Sequence, residues 1–143
     1  MGIVIDRRAF RQQRKTLFQG LFILESEKML PADAERINLG LGLSQWMKDI
    51  PEPDRSASLE KAFSSILADK PNDIILDRID ILFDPVWNCD IMKLLLSIGR
   101  NRRIYIVWPG FTNGETLSYS ENGWPDGHSY NISLYNDLTF VKK

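Results

Sequence analysis

A chain of 143 residues, 43% hydrophobic and 26% charged, can form one domain with its own core. A net charge of −1 excludes a global field toward nucleic acid or membrane, and a single cysteine, Cys89, excludes an internal disulfide. No apolar run approaches the roughly 18 residues of a membrane span, and the first residues lack a signal peptide's apolar stretch, so the expectation is one cytoplasmic domain over 1–143.

Residues 2–5, GIVI, fit a short first strand. Asp6 suits a helix N-cap. Arg7, Arg8, Arg11, Arg14 and Lys15 follow with no acid among them. Leu17, Leu21 and Leu24 then share a helical face, with Phe18 and Phe22 beside them. Two readings stay open: one helix from Asp6 to about residue 30, or a loop to Lys15 and a helix from Thr16. Either makes 1–36 a basic helical segment, with Pro31 ending the helix. Gly20 in its interior would cost about 1 kcal/mol.

Residues 37–43, INLGLGL, alternate as a strand does, and Ser44 can cap a short helix, SQWMKDI. Residues 51–55, PEPDR, form a loop. A helix opening at Ser56 or Ser58 buries Leu59, Phe63, Ile66 and Leu67, and Pro71 ends it. Ile74, Ile75 and Leu76 form a strand covered on both faces that ends in Asp77. Ile91, Leu94, Leu95 and Ile98 then keep helical spacing up to Gly99, and a second buried strand runs over 104–108. Strand, helix and strand with short joints make a βαβ unit, so the two strands should be adjacent and parallel. Asp77 then stands at the sheet edge where ligands of open α/β folds bind.

After Gly110 the pattern changes. Asn113–Gly114 is a hairpin signal leading into a strand over 116–120, residues 122–130 are rich in turn formers, and Leu138–Val141 fits a last short strand. The chain reads as α/β with an antiparallel, β-rich tail over 111–143.

His128 is the only histidine, so no Cys/His metal site is expected. A phosphate loop needs glycines whose backbone N–H groups wrap the phosphates, followed by Lys and a hydroxyl. The nearest match is Ala9–Thr16, where Lys15 and Thr16 are in place but Ala9 and Arg14 stand where glycines belong. Glu25-Ser26-Glu27-Lys28 is a weaker match, because its carboxylates repel phosphate. Arg100, Arg102 and Arg103 form a second basic knot, which with Arg14 could contact phosphate of a nucleotide or of DNA. Solvated helix and turn surfaces account for the same arginines. Trp124 and Tyr130 sit in the loop-rich tail, as aromatic anchors for a protein partner or, for Trp124, as a cover for a strand edge.

The runs INLGLGLSQWM, IILDRIDILFDP, LLLSIGRNRRIYIVWPG and LSYSENGWPDGHSY, in this order and spacing over residues 37–141, resemble the BrxF family of small P-loop proteins from BREX phage-defence islands. ILFDP at 81–85 and RNRRIYIVWPG at 100–110 are the most specific pieces. The resemblance implies a P-loop NTPase-like three-layer fold with a mostly parallel sheet and an antiparallel C-terminal hairpin. It implies ATP with Mg²⁺ as cofactor, Asp77 on the Mg²⁺ side, Asp80 as a nearby acid, and other subunits of a phage-defence complex as partners. The sequence departs from the family at the glycine-rich loop, for which only Lys15 and Thr16 remain. Three functions therefore stand: an accessory subunit with a degenerate phosphate loop acting through protein contacts, an active ATPase or nucleotide switch, and a nucleic-acid-binding module.

Overall fold

The structure, a computed structural model, describes residues 2–14, 16, 20–83, 90–119 and 128–143. Among them, six strands form one sheet in the order β1 (Ile3–Asp6), β9 (Leu138–Lys142), β2 (Gly20–Leu24), β5 (Arg103–Val107), β4 (Asp73–Asp77), β3 (Glu35–Asn38). Every pairing in it is parallel. A separate antiparallel sheet holds β6 (Phe111–Thr112), β7 (Thr116–Tyr119) and β8 (His128–Asn131). The helices are α1 (Arg7–Gln13), α2 (Leu39–Met47), α3 (Glu52–Leu67) and α4 (Ile91–Ile98). No helix among the described residues is long and apolar enough to cross a membrane.

Alternation along the strands sorts the core into two layers. Leu21, Ile23, Ile74, Leu76, Ile104, Ile106 and Phe140 pack with the buried residues of α2, α3 and α4. Phe22, Leu24, Ile75, Tyr105 and Val141 face the other way, onto Phe10 of α1 and Met29. Among the described residues, one face thus carries three helices, and the other carries α1 and the irregular segment 25–34. The connections obey the same division. Passing from β3 to β4 to β5 to β9, the chain steps across the sheet in one direction, and the residues of those connections join the larger layer. The last of these steps runs through the small sheet, whose Leu117 and Ile132 belong to that layer. From β1 to β2 and from β2 to β3 the steps go the opposite way and use the opposite face. A single handedness of parallel crossover demands this. At their C-terminal ends the neighbours β2 and β5 therefore send the chain to opposite faces, which makes a topological switch point.

The βαβ unit is as expected: β4 and β5 are adjacent and parallel, with Ile74 opposite Ile104, and Leu95 of α4 is fully buried. The hairpin at Asn113–Gly114 joins β6 to β7. Four expectations need correction. Residues 20–24 are the central strand β2, every residue of it buried, and not part of a helix from Asp6 or from Thr16. Gly20 takes φ +146°, which no helix residue can hold, and the turn at Gly99 packs against its backbone so closely that a Cβ on Gly99 would lie 3.2 Å from the Gly20 carbonyl carbon. The strand read at 37–43 ends at Asn38, whose Oδ1 accepts the Leu41 N–H at 3.0 Å and starts α2 there, ahead of Ser44. Helix α3 begins at Glu52, with Pro53 in its first turn, ahead of Ser56 and Ser58. Finally, 138–142 does not join the antiparallel tail: β9 inserts between β1 and β2 in the main sheet.

Candidate functional site

Two polar clusters lie on the thinly covered face, one toward each end of the strands. In β3, Ile37 is buried on the helical side, so Arg36 points to the other side. In β4, Ile75 belongs to the thin layer, and Asp77, two residues on, points the same way. After β2 the chain makes only a 3-10 turn, Glu27–Met29, capped by Ser26 Oγ, which accepts the Lys28 N–H at 3.3 Å. These three segments meet at one guanidinium: Arg36 Nη1 donates to Glu27 Oε1 and to Asp77 Oδ2, each at 3.1 Å. All three side chains keep contact with water, so the pairs add little stability. What they fix is occupancy: a cation of the chain stands between the loop after β2 and the strand-end carboxylate.

The second cluster is better enclosed. Asp73 opens β4 beside Arg103, which opens β5. Arg103 grips it with a fork, Nε to Oδ1 at 2.7 Å and Nη2 to Oδ2 at 2.5 Å. Tyr105 Oη donates to Asp73 Oδ1 at 2.6 Å and accepts from Arg14 Nη1 at 3.2 Å. Arg14 also reaches Asp33 Oδ1 at 2.5 Å. The arginine fork holds Asp73 down to a pKa of about 2, aided by the Tyr105 and Arg14 contacts against the cost of burial. Burial and the Asp73 carboxylate push the Tyr105 phenol up to about 12. Phe10, Phe22 and Tyr105 pack their rings with centroids 5.3–5.9 Å apart, so α1 is held to the sheet by aromatic packing and by Arg14 together.

The raised phenol makes an alkaline limb. The unfolded chain loses its tyrosine proton near pH 10, before the folded chain does, so this contribution is complete below pH 10 and is lost as pH rises toward 12. Tyr105→Phe is expected to flatten that fall in melts between pH 9 and about 12. An unchanged limb would show that the hydroxyl is not held as described.

The other expected site residues are placed as follows. Lys15 and Trp124 lie outside the described residues, as does Cys89. Thr16 is exposed, and its Oγ1 donates to the Gln13 carbonyl at 2.7 Å. Asp80 accepts a fork from Arg78, at 3.0 and 3.2 Å, where the chain turns through a left-handed φ of 63° at Arg78. Arg102 donates to the carbonyls of Leu67, Lys70 and Pro71, closing the C-terminal end of α3. Arg100 is exposed. Tyr130 packs edge-on to Trp108 and Tyr135, with centroids 6.0 and 6.1 Å apart. The structure therefore brings Arg14 and Arg103 together and leaves Asp77, Arg102 and Tyr130 in separate surroundings. Sequence reasoning passed over Arg36, Asp33 and Tyr105. The segment Glu35–Asn38 carries one apolar residue, Ile37, so the sequence offered no marked strand signal by which Arg36 could have been placed.

The chain matches no family model, no curated protein and no solved structure. Geometry and the sequence resemblance therefore carry the functional reading.

Proposed function

We propose that this chain is an accessory subunit of a BREX-type phage-defence assembly, with a P-loop NTPase-like sheet whose nucleotide site is filled by its own side chains. It acts through contacts with other subunits. The order and spacing of the sequence runs over 37–141 support the family. The Arg36 bridge between Glu27 and Asp77 carries the rest.

In this reading the phosphate loop of such a sheet would follow β2, at the switch point, and so correspond to the Glu25–Lys28 stretch rather than to Ala9–Thr16. Helix α1 starts directly after β1, and its N-terminus is taken by Asp6, whose Oδ1 accepts the Ala9 N–H at 2.8 Å. The residues present do not fit Mg²⁺–ATP. No α-helix N-terminus follows β2 to receive phosphate, Glu25 and Glu27 repel it, and Arg36 already neutralises the carboxylate a metal would need.

Two measurements test the reading. Calorimetric titration with ATP, with and without Mg²⁺, is expected to give no binding, and hydrolysis is expected at background. Co-expression with the other proteins of a BREX island is expected to co-purify the chain in a stable complex. Turnover abolished by Asp77→Asn would instead make it an ATPase, and a chain that never co-purifies would remove the accessory role.

A further inference from the structure

The main sheet has an open edge at β3. One side of the strand pairs with β4, and on the other side no backbone group of Glu35–Asn38 bonds to a further segment among the described residues. Such an edge is a template for another strand unless side chains guard it. Here the charges of the strand are drawn away. Glu35 pairs with Lys70 Nζ at 3.3 Å, and Arg36 turns to the thinly covered face, toward Glu27 and Asp77.

Beside this edge, on the helical face, runs a groove of about 540 Å³. Ile37 of β3, Leu41, Gly42 and Trp46 of α2 and Ile66 of α3 line it, and Leu41 is exposed there. Arg36 borders it too, although its side chain lies on the opposite face, so the groove reaches the backbone at the strand's edge.

We infer that this groove takes an extended segment of another protein, added to β3 as a further strand, with apolar side chains in the groove and a basic residue beside Asp69. The kind of occupant follows from the walls. One wall is a strand whose outward N–H and C=O groups only another extended backbone can satisfy along its length, since a helix bonds its own. Alternate side chains of a strand point the same way, so every second residue of the segment meets Leu41, Trp46 and Ile66. Asp69 sets the charge. It lies just past the end of α3, borders the groove, is exposed, and makes no ion pair among the described residues. A second copy of this chain fits poorly. Two-fold antiparallel pairing keeps each side chain on its own face only with the axis through a residue. An axis at Arg36 sets two arginines directly opposite, and one at Ile37 pairs only residues 36–38 before α2 begins at Leu39. The surface stands on the edge and the groove alone, so binding of a segment here would survive failure of the defence assignment.

Selection from a phage library displaying short random peptides tests it, followed by fluorescence anisotropy with the enriched peptide. The enriched peptides are expected to carry apolar residues at alternate positions and a Lys or Arg at one end. N-methylation of every second residue should weaken binding at least about tenfold in one register and change it little in the other, because only alternate N–H groups face β3. Leu41→Glu should weaken binding at least about tenfold and Asp69→Lys about threefold, while Leu134→Ala should change nothing. Thermal melts check that each variant is folded. Hydrogen exchange on the unaltered chain needs no variant: with peptide bound it is expected to slow at Glu35–Asn38 and not at Ile3–Asp6. No enrichment, equal binding of both N-methylated forms, binding that survives Leu41→Glu or Asp69→Lys, or exchange slowed only at Ile3–Asp6 would overturn the proposal. Enriched peptides with helical apolar spacing would overturn it in favour of a helical partner, and self-association of the free chain abolished by Leu41→Glu would overturn it in favour of a second copy.

Discussion

Asp73→Asn is expected to destabilise the protein by about 2–4 kcal/mol at neutral pH, read by chemical denaturation. The substitution keeps the volume and removes the charge. Arg103, which donates to both oxygens of Asp73, would then meet an amide N–H₂ in place of one of them. Tyr105, fully buried, would depend on a neutral acceptor, and Arg14 would lose a carboxylate 3.7 Å away. The carboxylate is largely enclosed, with 15% of its side chain exposed, so water replaces few of these contacts. The same network sets an acid limb. The folded pKa of Asp73, about 2, lies below its ordinary 3.8, so its stabilisation is complete above pH 4 and is lost as pH falls toward 2. Asp73→Asn should remove that part of the acid dependence. A loss below about 1 kcal/mol, or an unchanged acid limb, would show that the strand ends do not depend on this carboxylate.

The network explains why part of the fold escapes a reading of the sequence. Burial on both faces leaves no polar alternation, and such runs look alike whether they are strands or buried helix turns. Ile74–Leu76 was legible because Asn72–Asp73 and Asp77 bound it closely and a well-spaced helix follows. Leu21–Leu24 was not, because Leu17, Leu21 and Leu24 happen to keep helical spacing. Gly20 was the arbiter, since its positive φ starts β2, and a glycine read as a tolerated helix residue conceals that. In residues 37–43, alternation and helical spacing coincide. Leu39 and Leu43 are buried on α2 while Leu41 between them is 58% exposed, and Asn38 as cap decides between the two patterns.

The site was less legible still, for a physical reason. Which strand lies beside which is a property of crossovers, and one buried run carries no mark of its neighbours. The strand at 138–142 could be recognised as a strand, but its place between β1 and β2 could not, and with it the pairing of Lys142 opposite Asp6 was hidden. The arginines showed the same limit. Arg102 and Arg103 read as one basic knot in sequence, yet Arg102 lies in the bend before β5 and Arg103 opens the strand. One closes the end of α3 and the other holds Asp73.

Leu95→Ala is expected to cost about 2–5 kcal/mol. Leu95 is fully buried on α4, with Ile91, Met92 and Leu94 on the same apolar side, in the layer that includes Leu21 and Ile104 of the central strands. Asp90 fixes the start of the helix, with its Oδ1 accepting the Lys93 N–H at 3.1 Å, and the Gly99 N–H closes its end on the Leu95 carbonyl at 3.0 Å. Both ends are thus held, so α4 cannot slide to fill the space left by truncation, and the cavity adds to the lost transfer energy. Leu134, 75% exposed, provides the contrast: Leu134→Ala should change stability by no more than about 0.5 kcal/mol. Urea denaturation of the two variants checks both values, with equal m-values required for the comparison. A cost at Leu95 no larger than that at Leu134 would mean that α4 does not pack on β2 and β5, and the βαβ unit at the centre of the fold would have to be redrawn.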